Sequence, residues 1–388
     1  MRITRLTLRN WRNFKNVDVV VGDRLVIIGP NASGKSNLLD AVRFLRDIAL
    51  PSGGLQNAVS SRGGLSRLRC LFARNNNNGW VSVEVELGDD DGGPRWSYRV
   101  DVKSEGRGPR RPLVAREVVT RDGEVLIERP DPLDEGDPER LTQTALEQIS
   151  ANLAFRDVAD FLAGVRYLHL VPQVIRDSTR AGDQVDDPFG GDFIARMNRV
   201  AKGTRDRHLK RVTAALALAV PQFESLDVVV DDDGHPHLES RYTNWRQQGA
   251  RQDERDMSDG TLRLIGLLWS LVDVGRKRGP VLLEEPELSL HPAVVRTLPS
   301  VLARAQQRNG VQVILTTHSP ELLGDESLGA DEVLLLTVGG DGTTATLVAD
   351  IPEAAQAVED GMNLADVGLP RTAPRSVEQL VKAVFAGA

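Results

Sequence analysis

Apolar and polar positions alternate from the start of the chain. Leu6 and Leu8 precede a polar turn, Arg12 to Asn16, and apolar residues resume from Val17 to Val21, which predicts a β-hairpin. Leu25 to Ile28 is a short unbroken apolar run, the pattern of a strand covered on both faces. After a glycine-bounded loop, Leu38, Leu39, Val42, Phe44 and Leu45 recur near helical spacing and predict a helix from Ser36 to Ile48. Residues 50–80 are rich in Gly, Ser and Asn, including Asn75 to Asn78, and predict a loop region. Val81, Val83, Val85 and Leu87 alternate strictly, as do Trp96, Tyr98, Val100 and Val102, with the cluster Gly88 to Gly93 between them. This predicts antiparallel strands. Val118-Val119 and Val125 to Ile127 flank Asp122-Gly123 and predict a further hairpin.

The second half is more helical. Residues 129–140, rich in Pro, Asp and Glu, predict a surface linker, followed by helical patterns from Leu141 to Phe161 and from Phe193 to about Val220, where Pro221 intervenes. Val228 to Val230, Asp231 to Gly234 and His235 to Leu238 predict one more hairpin. A polar stretch, Arg241 to Arg255, then leads into an apolar helix, Thr261 to Val274. Val281 to Leu283 and Val313 to Leu315 are again short buried strands that end in polar residues, and beyond about Gly339 the signals weaken.

Composition narrows the class. With 388 residues, 40% hydrophobic and 27% charged, the chain is long enough for one large α/β domain with an insertion, or for two domains. A net charge of −7 excludes a uniformly basic coat for nucleic acid but leaves room for local basic patches. One cysteine, Cys70, excludes an internal disulfide framework. No apolar run approaches the ~18 residues of a membrane span, and the start MRITRLTLRNW lacks the apolar stretch of a secretory signal, so the expected compartment is the cytoplasm, with no membrane partner.

Four segments carry chemistry. Gly29-Pro30-Asn31-Ala32-Ser33-Gly34-Lys35-Ser36 fits G-x-x-x-x-G-K-[ST] and lies between a predicted strand and a predicted helix. Glycines allow backbone N–H groups to curl around phosphate oxygens, and the helix N-terminus adds partial positive charge. Lys35 would reach the β- and γ-phosphates, and Ser36 would ligate Mg²⁺. In Val281-Leu282-Leu283-Glu284-Glu285-Pro286-Glu287 a buried strand delivers two acids to its C-terminal end, where α/β sheets bind ligands. Glu284 would hold Mg²⁺ through water, and Glu285 would orient and deprotonate the attacking water. In Thr316-Thr317-His318-Ser319-Pro320 another strand ends in a histidine that could hydrogen-bond a γ-phosphate. Met257-Ser258-Asp259-Gly260-Thr261 opens the apolar helix, either as an ordinary N-cap or as a second anion site.

In this order the four segments resemble an ABC-type ATPase of the branch containing RecF, SMC proteins and OLD-family proteins. Asn10-Trp11-Arg12-Asn13-Phe14 and Leu288-Ser289-Leu290-His291-Pro292 are similar to that branch as well. The resemblance covers roughly residues 1–50 and 250–325. It implies an α/β P-loop NTPase fold, an ABC-ATPase-like head with an antiparallel β subdomain and an inserted helical region. The implied organisation is 1–75 for the first part of the head, 76–130 for the β subdomain, 131–250 for a mostly helical insertion, 251–338 for the second part of the head and 339–388 for the tail. It further implies that Gly29, Asn31, Ala32, Ser33, Gly34, Lys35, Ser36 and Asn37 surround the phosphates of ATP. Ser36 and Glu284 serve Mg²⁺, Glu285 is the catalytic base and His318 the switch histidine. Arg12 touches phosphate, and Ser258 and Gly260 face the γ-phosphate bound to a second copy in a head-to-tail homodimer.

The chain also departs from that pattern. The acid on the metal side is usually aspartate, and Glu284 is one methylene longer. Asp259 and Thr261 stand where glycine and glutamine are common, so the Asp259 carboxylate is expected to point away from phosphate. The superfamily's Mg²⁺-sensing glutamine has no clear counterpart, Gln56 being one candidate. The residues after Pro320 are too few for the nuclease module of OLD proteins, so any nuclease is expected on a separate chain. The implied role is DNA-linked genome maintenance or anti-phage defence, with a nuclease or toxin as effector partner and DNA as a possible ligand. The alternatives are a transporter motor subunit and a non-hydrolysing scaffold. Three weaker constellations stand apart. Asp231 to His237 reads as a solvated turn rather than a metal site, Gly106 to Arg116 either as a nucleic-acid grip or, lacking interleaved aromatics, as a flexible basic loop, and Arg241, Tyr242, Trp245, Arg246, Arg251 and Arg255 as a nucleic-acid candidate.

Overall fold

The computed structural model describes residues 1–72, 79–89, 92, 95–106, 108, 110–177, 187–244, 249–273, 279–373, 379 and 384. The chain divides into two compact units. The first comprises Met1–Arg166, Lys277–Pro280 and Gln312–Ala388, and the second Tyr167–Arg276 and Val281–Val311.

Two sheets build the first unit. In the antiparallel one the strand order is Phe14–Val20, Arg2–Trp11, Val81–Gly88, Trp96–Ser104, Pro112–Arg121 and Glu124–Arg129. The opening hairpin pairs Leu6 with Val19, Leu8 with Val17 and Trp11 with Phe14, so its turn is tighter than the polar pattern suggests. The Asp122-Gly123 turn is a two-residue connection with φ of 52° and 86°, the left-handed geometry that favours Asp-Gly in hairpins. Arg24–Ile28 is buried at every residue and lies parallel to Val313–Thr316 on one side and to Val333–Gly339 on the other. That burial explains its lack of alternation. Gly342–Leu347 closes this run antiparallel to Val333–Gly339.

Residues 50–72, where a loop was expected, contain two short helices. Gly54 (φ 98°) and Gly64 (φ 89°) immediately precede the helices Leu55–Ser60 and Leu65–Leu68, which bury Leu55, Ala58, Val59, Leu65 and Leu68. The glycines therefore start helices rather than dissolve them. Asn75 to Asn78 and part of the Gly88 to Gly93 cluster lie outside the described residues. The segment expected to be a surface linker forms the short helix Pro132–Gly136, closed by a capping box in which Asp131 and Asp134 each accept the other's backbone N–H. Of the long helix expected from Leu141, only Arg156–Ala163 is α-helical, preceded by a 3₁₀ turn at Asn152–Phe155. Beyond Gly339 the described residues up to Ala373 form a hairpin strand and two helices, Pro352–Glu359 and Leu364–Thr372.

In the second unit the helical pattern from Phe193 splits into Phe193–Arg199 and Lys202–Ala219, because Val200 and Ala201 are extended (ψ 134° and 132°). A three-stranded antiparallel sheet follows: Phe223–Val230, Pro236–Tyr242 and Ala250–Asp253. Its first hairpin is the one predicted around Asp231 to Gly234, while the third strand lies in the polar stretch Arg241 to Arg255, for which no strand was predicted. The apolar helix runs Asp259–Val272, and the strand Val281–Glu284 lies beside Arg166–Leu168. Among the described residues no helix is long and apolar enough to cross a membrane.

Candidate functional site

The phosphate-loop motif occupies the turn between Arg24–Ile28 and the helix Lys35–Ala49. Ala32 (φ 62°) and Gly34 (φ 101°) take left-handed conformations that reverse the chain before the helix starts. Gly29 is required by packing, since a Cβ there would lie 2.7 Å from Ser33 Oγ and 2.9 Å from Leu336 Cβ. The Lys35 ammonium is folded back over the loop and donates to the carbonyls of Gly29 and Pro30 at 3.1 and 3.2 Å. Ser33 is fully buried, and its hydroxyl has no hydrogen-bond partner among the described residues. Such an orphan is costly unless a ligand completes it. Asn31 and Ala32 are exposed on the same loop, and Ser36 is exposed in the first turn of the helix.

The opening hairpin is pinned onto this loop. Trp11 Nε1 donates to the Asn37 carbonyl at 2.7 Å, Asn13 Nδ2 to the Ala32 carbonyl at 3.3 Å, and the Asn37 amide to Asn13 Oδ1. Arg12, at the tip (φ 49°), donates to Asp40 at 2.8 Å, and Arg62 also holds Asp40 at 2.8 Å while reaching Asp47 at 2.8 Å. Burial pushes the Asp40 carboxyl up, but Arg62 and then Arg12 outweigh it and hold it below its ordinary value. Gln56 gives its amide to the Pro112 and Thr142 carbonyls at 2.9 and 2.7 Å, a bracing role within the first unit. His318 also belongs to this unit. Thr316 is in register with Ile27, and Thr317 N donates to the Ile27 carbonyl, so His318 follows a strand end beside the strand that feeds the loop.

In the second unit, Glu284 ends its strand and accepts a hydrogen bond from the Tyr167 hydroxyl, with His169 Nδ1 3.7 Å from the same carboxylate oxygen. Glu285 is left-handed (φ 44°), a conformation uncommon for a side chain of this size, which redirects the chain at once after the strand. Arg263, Glu284 and Glu285 line a small cavity of about 20 Å³ with Leu168, Leu170 and Leu283, room for one water. Burial lowers the Arg263 pKa, opposed by Asp259, Glu285 and Glu287.

The signature residues have local explanations. Ser258 caps the helix Asp259–Val272, its hydroxyl accepting from Thr261 N at 3.2 Å. Only glycine fits at 260, where a Cβ would stand 2.4 Å from the Ser289 carbonyl oxygen. Asp259 is held by Arg176 at 2.6 Å and by Gln173 at 3.2 Å. His291, unassigned from sequence, caps the helix Pro292–Val295 by accepting from Ala293 N at 3.1 Å.

Of the weaker constellations, Arg111 is paired with Glu105 and Glu139, and Arg116 with Glu128, each at 2.8 Å, whereas Arg107 lies outside the described residues. Trp245 and Arg246 lie outside them too; Arg251 is 3.7 Å from Glu239 across the small sheet. Asp231 Oδ1 accepts from Asp233 N and His235 N, tying the exposed acids into a turn. The residues that sequence reasoning missed are Tyr167, His169, Arg176 and Arg263, which belong to no motif or period.

Comparisons with known proteins bear on the family and the fold. Residues 24–324 match the family model described as "AAA domain, putative AbiEii toxin, Type IV TA system". An OLD nuclease of Thermus scotoductus is 21% identical over 349 residues, 82% of this chain and 59% of the relative. A DNA replication and repair protein RecF of Desulforamulus reducens is 44% identical over 45 residues, 11% of this chain and 12% of that protein. The chain thus spans less than two thirds of these curated relatives. Among solved structures, an SMC head bound to the C-terminal winged-helix domain of ScpA aligns with a TM-score of 0.55 at 16% identity, over 89% of this chain and 97% of the other. That likeness is one of fold, the α/β fold of a P-loop, ABC-type ATPase head.

Proposed function

From the premise that the chain belongs to this family of AAA-domain proteins, an ABC-type ATPase of the RecF, SMC and OLD kind, we propose that it binds and hydrolyses ATP, closing as a head-to-tail dimer around the nucleotide. The observation that carries the reading is the phosphate loop itself: a fully buried strand, two left-handed residues, a lysine folded over the loop and a buried serine hydroxyl without a partner.

Each residue then has a defined task. Lys35 exchanges the Gly29 and Pro30 carbonyls for β- and γ-phosphate oxygens, and the backbone N–H groups of Asn31 to Ser36 complete the cradle. Ser36 and Glu284, both oxygen donors, suit Mg²⁺, which when bound neutralises developing phosphate charge. Glu285 accepts the proton of the attacking water. His318 donates to the γ-phosphate. Arg12 turns from Asp40 to phosphate, a move that leaves Asp40 still paired with Arg62. Ser258 and Gly260 meet the nucleotide of the second copy, with the Asp259 charge compensated by Arg176.

RecF is named for DNA replication and repair and OLD as a nuclease. By analogy the cycle serves DNA maintenance or defence, and it controls an effector such as a nuclease or toxin. Mass measurement of Glu285→Gln with ATP tests the composite site. A dimer that reverts to monomer on ATP removal is expected, whereas a mutant that stays monomeric at every concentration overturns the model.

A further inference from the structure

We propose that Tyr167, backed by His169, is the positioning residue that aims the Glu284 carboxylate at its cation; this rests on reading Glu284 as the metal-side acid. A glutamate has one more rotatable bond than the usual aspartate, so its carboxylate samples more positions unless something outside the strand restrains it. The structure supplies that restraint. The Tyr167 hydroxyl donates to Glu284 Oε2, and His169 Nδ1 approaches the same oxygen at 3.7 Å. Gripping one oxygen sets the direction of the other. Residues 167 and 169 are two apart in sequence, and both side chains approach the same carboxylate oxygen. Their backbone is anchored in turn: His169 N donates to the Pro188 carbonyl and Val171 N to the Phe189 carbonyl, both at 3.1 Å. The Phe189 ring also stands edge-on to the imidazole at 5.8 Å. Supports of this kind around a metal ligand typically contribute ~10–100-fold in metal affinity.

A double-mutant cycle read by Mn²⁺ binding, rather than turnover, separates positioning from general packing. Mn²⁺ is titrated by its paramagnetic resonance signal in the presence of ADP. Tyr167→Phe, which keeps the ring, is expected to weaken Mn²⁺ binding about tenfold. In a Glu284→Asp background, where the shorter side chain no longer reaches the hydroxyl, the same change is expected to cost less than about twofold. His169→Gln serves as a second variant, with an expected loss of about threefold beside an intact Tyr167. An equal loss in both backgrounds, or no loss with Glu284 present, overturns the proposal while leaving the assignment of Glu284 intact. If Glu284→Gln itself binds Mn²⁺ like the parent, the assignment fails and the proposal with it.

Discussion

Two arginine–carboxylate clusters in the first unit handle buried charge differently. Beside the phosphate loop, Asp40 is shared by Arg62, whose side chain is 5% exposed, and Arg12, which is 24% exposed. Where the last two strands of the antiparallel sheet pair Glu117 with Arg129, Arg129 bridges Asp134 at 2.8 Å and Glu117 at 3.2 Å, and both carboxylates are fully buried. Glu117 also accepts from the Tyr98 hydroxyl and from Ala145 N and Leu146 N, and Asp134 from Arg140 at 3.0 Å. The first cluster has a cation to spare at its exposed edge. The second bridges two buried carboxylates through one arginine. Where two arginines share one carboxylate, either can leave without stranding it, whereas a buried ion cluster holds the fold together.

The largest effect expected from this contrast comes from Arg129→Ala. It leaves the buried Glu117 without its arginine and Asp134 with Arg140 alone, and is expected to cost ~3–5 kcal/mol in urea unfolding. A loss near zero would erase the difference between the clusters. Acid comes next. Burial pushes Asp134 up, but hydrogen bonds from Arg129, Asp131 N and Arg140 hold it well below its ordinary value of 3.8. A lowered carboxylate stabilises the fold above that ordinary value, and the contribution is lost as pH falls through the folded value. Asp134 should therefore add no slope to thermal melting at neutral pH but a steep drop below about pH 4, which Asp134→Asn should flatten. Arg12→Ala is expected to cost less than ~1 kcal/mol of stability, because Arg62 still neutralises Asp40, yet to slow ATP turnover about tenfold through one lost charge-assisted contact. Comparing melts with steady-state phosphate release checks both parts.

The smallest effect lies in the second unit. Glu254, with Asp231, holds the His237 pKa above its ordinary 6.5. A raised histidine stabilises the fold below 6.5, and the gain disappears as pH rises through the folded value. The melting temperature should fall by ~1–2 °C over that window, and His237→Gln should remove the slope.

Legibility followed the range of the interactions involved. The hairpin of Leu6, Leu8 and Val17, the buried run Leu25 to Ile28 and the loop Gly29 to Ser36 were readable because their signals repeat within a few residues. Ala250–Asp253 was missed, because it is a polar edge strand whose only argument for being a strand is its partner Glu239 to Tyr242. The helices after Gly54 and Gly64 were missed because glycine marks both a loop and a helix start. Asp134 looked like a linker acid because nothing near it in sequence announces Arg129 as a buried partner.

By itself the sequence determined the phosphate loop, the buried strands around it and the two acids that end a strand, since backbone freedom at glycine and apolar periodicity are local properties. Only the tertiary structure decided that Gly260 is demanded by the carbonyl of Ser289 and that Arg12 shares its carboxylate. It alone decided, too, that a tyrosine far back in the chain grips Glu284. Those facts depend on distances between segments that no period along the chain encodes, so they exist only once the chain has packed.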